Sequence, residues 1–267
     1  MSTPRIIAVA NMAGSAGKTT TVVTMAALLA QEGLRVNVLD LDSQANATFS
    51  LGIDDAEERQ LPTIGDVLLR RVDLADALMD TSAPGLQVVP AHGNLNGAAM
   101  ELGRVVAGEQ RLRQALAKAA LDVDVVLLDC PGALNIYTMA ALVAAQAVVA
   151  VSQPTTKELA GLPVLEQTIE EFKEAYNPDL HLAAVVPCIV PAASAGRIYA
   201  DGVELLRETY GDLVTHSVRR AARVAEAYDA QSPLPLFAPT HDVTEDYRHV
   251  VNDLRTAGVL PAVPQVV

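Results

Sequence analysis

Between Arg5 and Thr21 the chain reads RIIAVANMAGSAGKTTT: a short apolar run, a loop of small residues, then Gly17, Lys18 and Thr19 opening a second apolar run. That order commits a chain to a buried strand that stops, small residues whose N–H groups converge, and a helix whose N-terminus adds its dipole. Together these cradle an anion. Lys18 is placed to reach the β- and γ-phosphates of a nucleotide, and the Thr19 hydroxyl to hold Mg2+. The full string G-x-x-x-x-G-K-[ST] asks for Gly five positions before Gly17 and finds Met12, so the loop is atypical in its first half. Taken alone, the stretch also reads as a Gly/Ser turn before a helix with an exposed lysine.

The rest of the chain extends the first reading. A helix through TTTVVTMAALLAQEG stops at Gly33, and Val36, Val38 and Leu39 build a second buried strand ending in Asp40 and Asp42. Strand, helix and strand of these lengths make a right-handed βαβ unit with a parallel sheet. Residues 62 to 80 read as short surface helices, 86 to 91 as a third strand, and 94 to 120 as two helices broken near Gly108. DVDVVLLDCPGAL is a continuous apolar strand closed by Asp129, as expected of a strand buried on both faces, and AQAVVAVSQPT is another. A helix from Lys157 to Tyr176 and a sixth strand in HLAAVVPCIVP follow. The last third is expected to hold helix 197–210, strand 212–217, helix 219–229, a short strand at Leu234 to Phe237 and a helix from Asp242 to Thr256. Residues 1–260 are read as one domain and 261–267 as a loose tail.

Composition sets limits. The chain has 267 residues, 51% apolar, 3% aromatic, no Trp and a net charge of −13, which suits a large α/β domain packed from aliphatic side chains. Nucleic-acid binding by such an acidic chain would need a local basic patch. Cys130 and Cys188 lack metal or disulfide-framework spacing, and the five His lack ligand spacing. No secretory n-region and no run of 18 apolar residues is present, so a soluble cytoplasmic protein with no membrane partner is expected.

Several strings together resemble the deviant Walker-A ATPases of the ParA/MinD group, whose loop reads xKGGxGK[ST]. Aligned on Gly17, Lys18 and Thr19, the chain has Ala13 where that family has its signature lysine, followed by Gly14, Ser15 and Ala16. DLDSQANAT resembles D-x-D-P-Q-x-N-x-T, with Asp40, Asp42, Gln44, Asn46 and Thr48 matching and Ser43 replacing Pro; DCPGAL resembles DxPP with Gly132 for the second Pro. VRRAARVAEA resembles the family's R-x-S-V-K/R-V-A-E-A, and the strings occur in family order along nearly the whole chain.

The resemblance implies a P-loop NTPase three-layer α/β fold with a mostly parallel central sheet flanked by helices. It also implies ATP and Mg2+ as cofactors. The nucleotide would lie on Gly14, Ser15, Ala16, Gly17, Lys18, Thr19 and Thr20, with Thr19, Asp40 and Asp129 about the metal. Asp42 would position the attacking water and Lys18 would meet the phosphates. Further implications are an ATP-dependent homodimer on nonspecific DNA, which would place the protein on the nucleoid, and a ParB-like centromere-binding protein or cargo adaptor that stimulates hydrolysis. The cargo is a plasmid, a chromosome or a protein complex, as in the McdA-like branch.

Arg219, Arg220 and Arg223 are the expected DNA contacts, with Arg219 or Arg220 beside Arg223 on a helix face. A solvated basic face is the plain alternative. Lys157, in the loop after the AQAVVAVSQPT strand, is the candidate to replace the lysine missing at Ala13; it stands in a first helical turn, where the dipole disfavours a cation. The competing functions are a biosynthetic ligase or amidase of the same fold and a nucleotide switch that has lost hydrolysis.

Overall fold

The computed structural model describes residues 3–263 except 13–15, 55, 57–58, 193 and 195. In chain order the elements are β1 (Arg5–Ala10), α1 (Lys18–Gln31), β2 (Val36–Asp40), α2 (Asn46–Ser50), α3 (Ile64–Leu68), β3 (Met79–Asp80), β4 (Leu86–Val89), α4 (Leu95–Leu102), α5 (Arg111–Ala119) and β5 (Val125–Asp129). There follow α6 (Ile136–Ala144), β6 (Ala147–Ser152), α7 (Thr156–Leu159), α8 (Gly161–Ala175), β7 (His181–Pro187), α9 (Ile198–Tyr210), α10 (Ala222–Asp229), α11 (Leu234–Phe237) and α12 (Asp242–Thr256).

The sheet runs β3-β4-β2-β5-β1-β6-β7 and is parallel except for the β3–β4 pair. Alternation along its strands explains the layers. Ile7, Val9, Val125, Leu127, Val149 and Val151 face a core shared with α1 and α12, while Ala8, Ala10, Val126, Leu128, Val148 and Ala150 face one shared with α3, α5, α6 and α8. Each strand has a period of two, yet both faces are covered, so each reads as one apolar run. In this register Asp40 of β2 lies directly opposite Asp129 of β5, and Val9 of β1 opposite Asp129 on its other side. The carboxyl ends of three central strands thus meet where β1 leads into the phosphate loop.

The structure corrects the reading of the last third. Residues 212–217 form no strand: a 3-10 turn occupies Gly211–Leu213, and the following strip touches the sheet edge only through single bridges at Val185–Val214 and Val190–Arg219. The expected helix 219–229 begins at Ala222, so Arg219 and Arg220 precede it. Leu234–Phe237 is helical, with Pro235 in the first turn where its missing N–H costs nothing. The helix expected from Lys157 to Tyr176 is two, α7 and α8, which break at Ala160. The two-residue strand β3 lies within the stretch 62–80, where short helices are expected.

Candidate nucleotide site

α1 starts at the phosphate loop without an ordinary cap. Its N-cap is Gly17 at φ 91, with no side-chain cap bond and no acid in the first turn. That left-handed backbone favours glycine, and a Cβ there would also lie 3.5 Å from Cys188 Cβ. With no acid in that turn, the positive end of the helix dipole faces the cleft without a charge of its own helix to offset it. Behind the loop the Thr21 hydroxyl donates to the Gly17 carbonyl at 2.9 Å and lies 3.3 Å from the Tyr247 hydroxyl, which fixes the turn from the α12 side.

Lys18 is buried, at 7% exposure. Thr19 Oγ1 donates to Asp129 Oδ2 at 2.8 Å, and Asp129 Oδ1 is buried with no hydrogen-bond partner. Burial, then the charge of Asp40, hold the Asp129 carboxyl well above the usual carboxylate range, against the Thr19 bond and the Lys18 charge. Asp40 is likewise pushed up to about 6 by burial, opposed by its bonds from Thr48. Thr48 gives Asp40 Oδ2 both its N–H, at 2.9 Å, and its hydroxyl, at 2.7 Å, and its hydroxyl accepts from Ala91 N at 2.9 Å. Asp42 N donates to Asp40 Oδ1 at 3.1 Å, and Gln44 N donates to Asp42 Oδ1 at 3.0 Å. Asp42 itself is half-buried and faces a cleft of about 510 Å3 lined by Ala16, Gly17, Lys18, Thr19, Thr20 and Asp42, with Gln44, Asn46, Gly132, Ile189 and Tyr228 around them.

Two buried carboxylates side by side, one with an unmet oxygen, are costly unless a cation joins them. A hydroxyl and carboxylates at a phosphate cradle are the hard oxygen donors that Mg2+ takes while keeping its own waters. The donor set therefore fits that ion. The thiols fit no chemistry here: burial raises Cys130, and raises Cys188 to about 11, so neither is a nucleophile at neutral pH. A larger cleft, of about 670 Å3, lies elsewhere, between β7, the 211–216 strip and the end of α12, without any of these groups.

Of the sequence-predicted site residues, the cleft gathers Ala16, Gly17, Lys18, Thr19, Thr20 and Asp42, with Asp40 and Asp129 beneath it. Ala13, Gly14 and Ser15 lie outside the described residues. Lys157 is exposed on α7 and does not line the cleft. In a four-residue helix the first turn is also the last, so the dipole argument against a cation at that position falls away. The arginines do not form one helix face. Arg219 binds Asp246 through Nε at 2.7 Å and Nη2 at 2.8 Å, and Asp242 at 2.7 Å. Arg223 pairs with Glu226 on its own helix.

Two cleft residues carry no signal in the sequence. Ile189 takes φ 57, a left-handed conformation costing a β-branched residue about 1–2 kcal/mol, and sits against Gly17. Tyr228 reaches the cleft from α10, with its ring 4.8 Å from that of Phe49 on α2.

The chain matches known proteins along the same lines. A family profile described as AAA domain matches residues 4–182. The chromosome partitioning protein ParA of Caulobacter vibrioides is 36% identical over 236 residues, covering 87% of each chain. The chain belongs to the ParA/MinD-type family of P-loop ATPases. A cobyrinic acid a,c-diamide synthase from Mycobacterium smegmatis, solved with an ATP analog and magnesium, is 30% identical at a TM-score of 0.78, covering 98% of this chain and 100% of that one. An ATP complex of Cyanothece McdA superposes at a TM-score of 0.85 and 21% identity over 99% and 100% of the two chains, a likeness of fold. Nucleotide hydrolysis is thus the general activity of the family in which this cleft occurs.

Proposed function

We propose that the chain hydrolyses ATP with Mg2+ in the cleft at Gly17–Thr20 and uses the cycle to position DNA or protein cargo. The observation that carries this reading is the pairing of Thr19 with Asp129, whose second oxygen is buried and unmet above the uncapped start of α1. Thr19 and Asp129, with Asp40 behind them, would hold Mg2+, which neutralises charge developing on the phosphates. Lys18 meets the β- and γ-phosphates, and Asp42, half-buried and tied by Gln44 N, orients water for attack.

In this reading two ATP-loaded chains pair, bind duplex DNA without sequence preference, and release it when a ParB-like protein or cargo adaptor stimulates hydrolysis. The chain then works in the cytoplasm on the nucleoid. The 36% identical partitioning protein supports this. The 30% identical diamide synthase supports a second reading, an ATP-dependent amidase or ligase. Duplex DNA pelleting with and without ATP separates the two. ATP-dependent association that is abolished in Lys18→Ala supports the first, and ATP turnover that ignores DNA and rises with a carboxylic acid substrate supports the second.

A further inference from the structure

α10 is the element that carries Arg223 and follows Arg220, yet it is weakly held: eight residues long, with Ala227 its buried side chain. Elements with so little buried surface take their position from a few anchors. Both sets of anchors border the nucleotide cleft. On one side the strip before α10 is bonded to the turn after β7, where Val190 N donates to Val218 O at 3.0 Å and Arg220 N to Val190 O at 2.8 Å. The residue preceding Val190 is the strained Ile189, against Gly17. On the other side the Tyr228 hydroxyl donates to Asn46 Oδ1 at 2.9 Å and its ring packs on Phe49, with a second tie from Gln231 Nε2 to Asp54 Oδ2 at 3.0 Å.

Asn46 opens α2, the five-residue helix whose Thr48 makes two hydrogen bonds to Asp40. From the acids to the arginines there is thus a short path: Asp40, Thr48, α2, Tyr228, α10. Tyr228 is 40% exposed and its free surface lines the cleft, so whatever fills the cleft meets the link itself. We propose that Tyr228 is a positioning residue that joins α2 and its hold on Asp40 to α10, so that nucleotide in the cleft orders α10 and a ligand on α10 acts back on hydrolysis. For binding the coupling is reciprocal, so a ligand on α10 tightens nucleotide in the cleft by the same factor; the effect on hydrolysis is a separate part of the proposal, read by kcat. The proposal rests on the nucleotide reading of the cleft and is independent of what α10 binds.

Hydrogen exchange over residues 222–229, with and without a non-hydrolysable ATP analogue and Mg2+, tests it in the full-length chain. Nucleotide slows exchange there by about tenfold in the wild type, within the usual range of site-to-site coupling. Tyr228→Phe keeps the ring on Phe49 and cuts only the bond to Asn46; it loses most of that protection, and kcat falls more than KM rises. Asn46→Ala cuts the same bond from α2 and behaves alike. Tyr176→Phe, at a tyrosine stacked on Phe172 away from the cleft, behaves as wild type. Calorimetry on the wild type separates the failures. No nucleotide binding overturns the reading of the cleft and this proposal with it. Binding with unaltered exchange at 222–229, or full protection retained in both Tyr228→Phe and Asn46→Ala, overturns this proposal alone.

Discussion

Thr19 Oγ1 and Asp129 Oδ2 are joined at 2.8 Å while the other oxygen of the same carboxylate is buried without a partner, so the site is assembled at a standing cost to the fold. Asp129→Asn removes a charge that Asp40 opposes across the register. The melting temperature of the nucleotide-free protein should therefore stay level or rise. Stabilisation by Mg2+ and ATP should nearly vanish, since a ligand stabilises only as far as it binds the folded state. Thermal melts with and without Mg-ATP check both halves; a variant that melts lower alone and is still rescued by Mg-ATP would show Asp129 to be structural.

The same acids set a pH dependence. Asp40, at about 6, and Asp129 both bind their protons more tightly folded than unfolded, so their contribution to stability is present at low pH and is lost as pH rises through the folded value. The protein without nucleotide should gain stability, by a few degrees in melting temperature, on going from pH 7 to pH 5. Saturating Mg-ATP should shrink that gain, because a bound cation favours the ionised carboxylates. A melting temperature flat between those pH values in the free protein would remove the two acids from the balance.

The arginines divide into two kinds. Arg219→Ala strips Asp246, whose side chain is 11% exposed, of the guanidinium and leaves it the backbone N–H of position 219. The cost should be about 1–2 kcal/mol, below the ~3–5 kcal/mol of a fully buried pair because half of the Arg219 side chain is in solvent. Arg220→Ala with Arg223→Ala should leave the melting temperature within a degree or so. It should flatten the slope of DNA affinity against salt by about 2, one phosphate contact for each arginine. Gel shifts over a salt series against melts separate the two effects. An unchanged slope in the double variant would take α10 out of DNA binding.

That Arg219 is tied to acids of another helix is not legible locally: its partners Asp242 and Asp246 lie 23 and 27 positions on. Tyr228 and Asn46 are 182 positions apart. The strand-end acids were legible because a strand covered on both faces is a continuous apolar run, and its end is marked by the first charge. Asp40 and Asp129 are such ends, and parallel register brings them opposite each other. The stretch 212–217, expected as a strand, belongs to a strip that docks on the sheet edge through two single bridges, a matter of tertiary packing that local pattern does not carry. Leu234–Phe237 reads as a strand for a related reason, since four apolar residues fit either period and only Pro235 argues for a helix start.

Lys157 is left to the comparison of two chains. α7 leaves the carboxyl end of β6, and Gly161 just beyond it abuts the end of β1: a Cβ there would lie 3.4 Å from Asn11 Oδ1 and 3.6 Å from Met12 Cβ. Gly202 of α9 presses on the turn before α7 so closely that a Cβ would fall 2.2 Å from the Pro154 carbonyl oxygen. α7 is therefore held at both ends beside the start of the phosphate loop, while Lys157 points to solvent outside its own cleft. A cation so placed can act on phosphates only across a dimer, where one positive charge at the transition state is worth about 10^3-fold or more in rate. Lys157→Ala should then lower DNA-stimulated ATP turnover and ATP-dependent dimerisation together, with nucleotide affinity of the single chain unchanged. Lys173→Ala, on α8 and paired with Glu170, should do neither. Identical turnover and dimerisation in the two variants would make Lys157 an ordinary surface residue and leave the enzyme without any substitute for the lysine absent at Ala13.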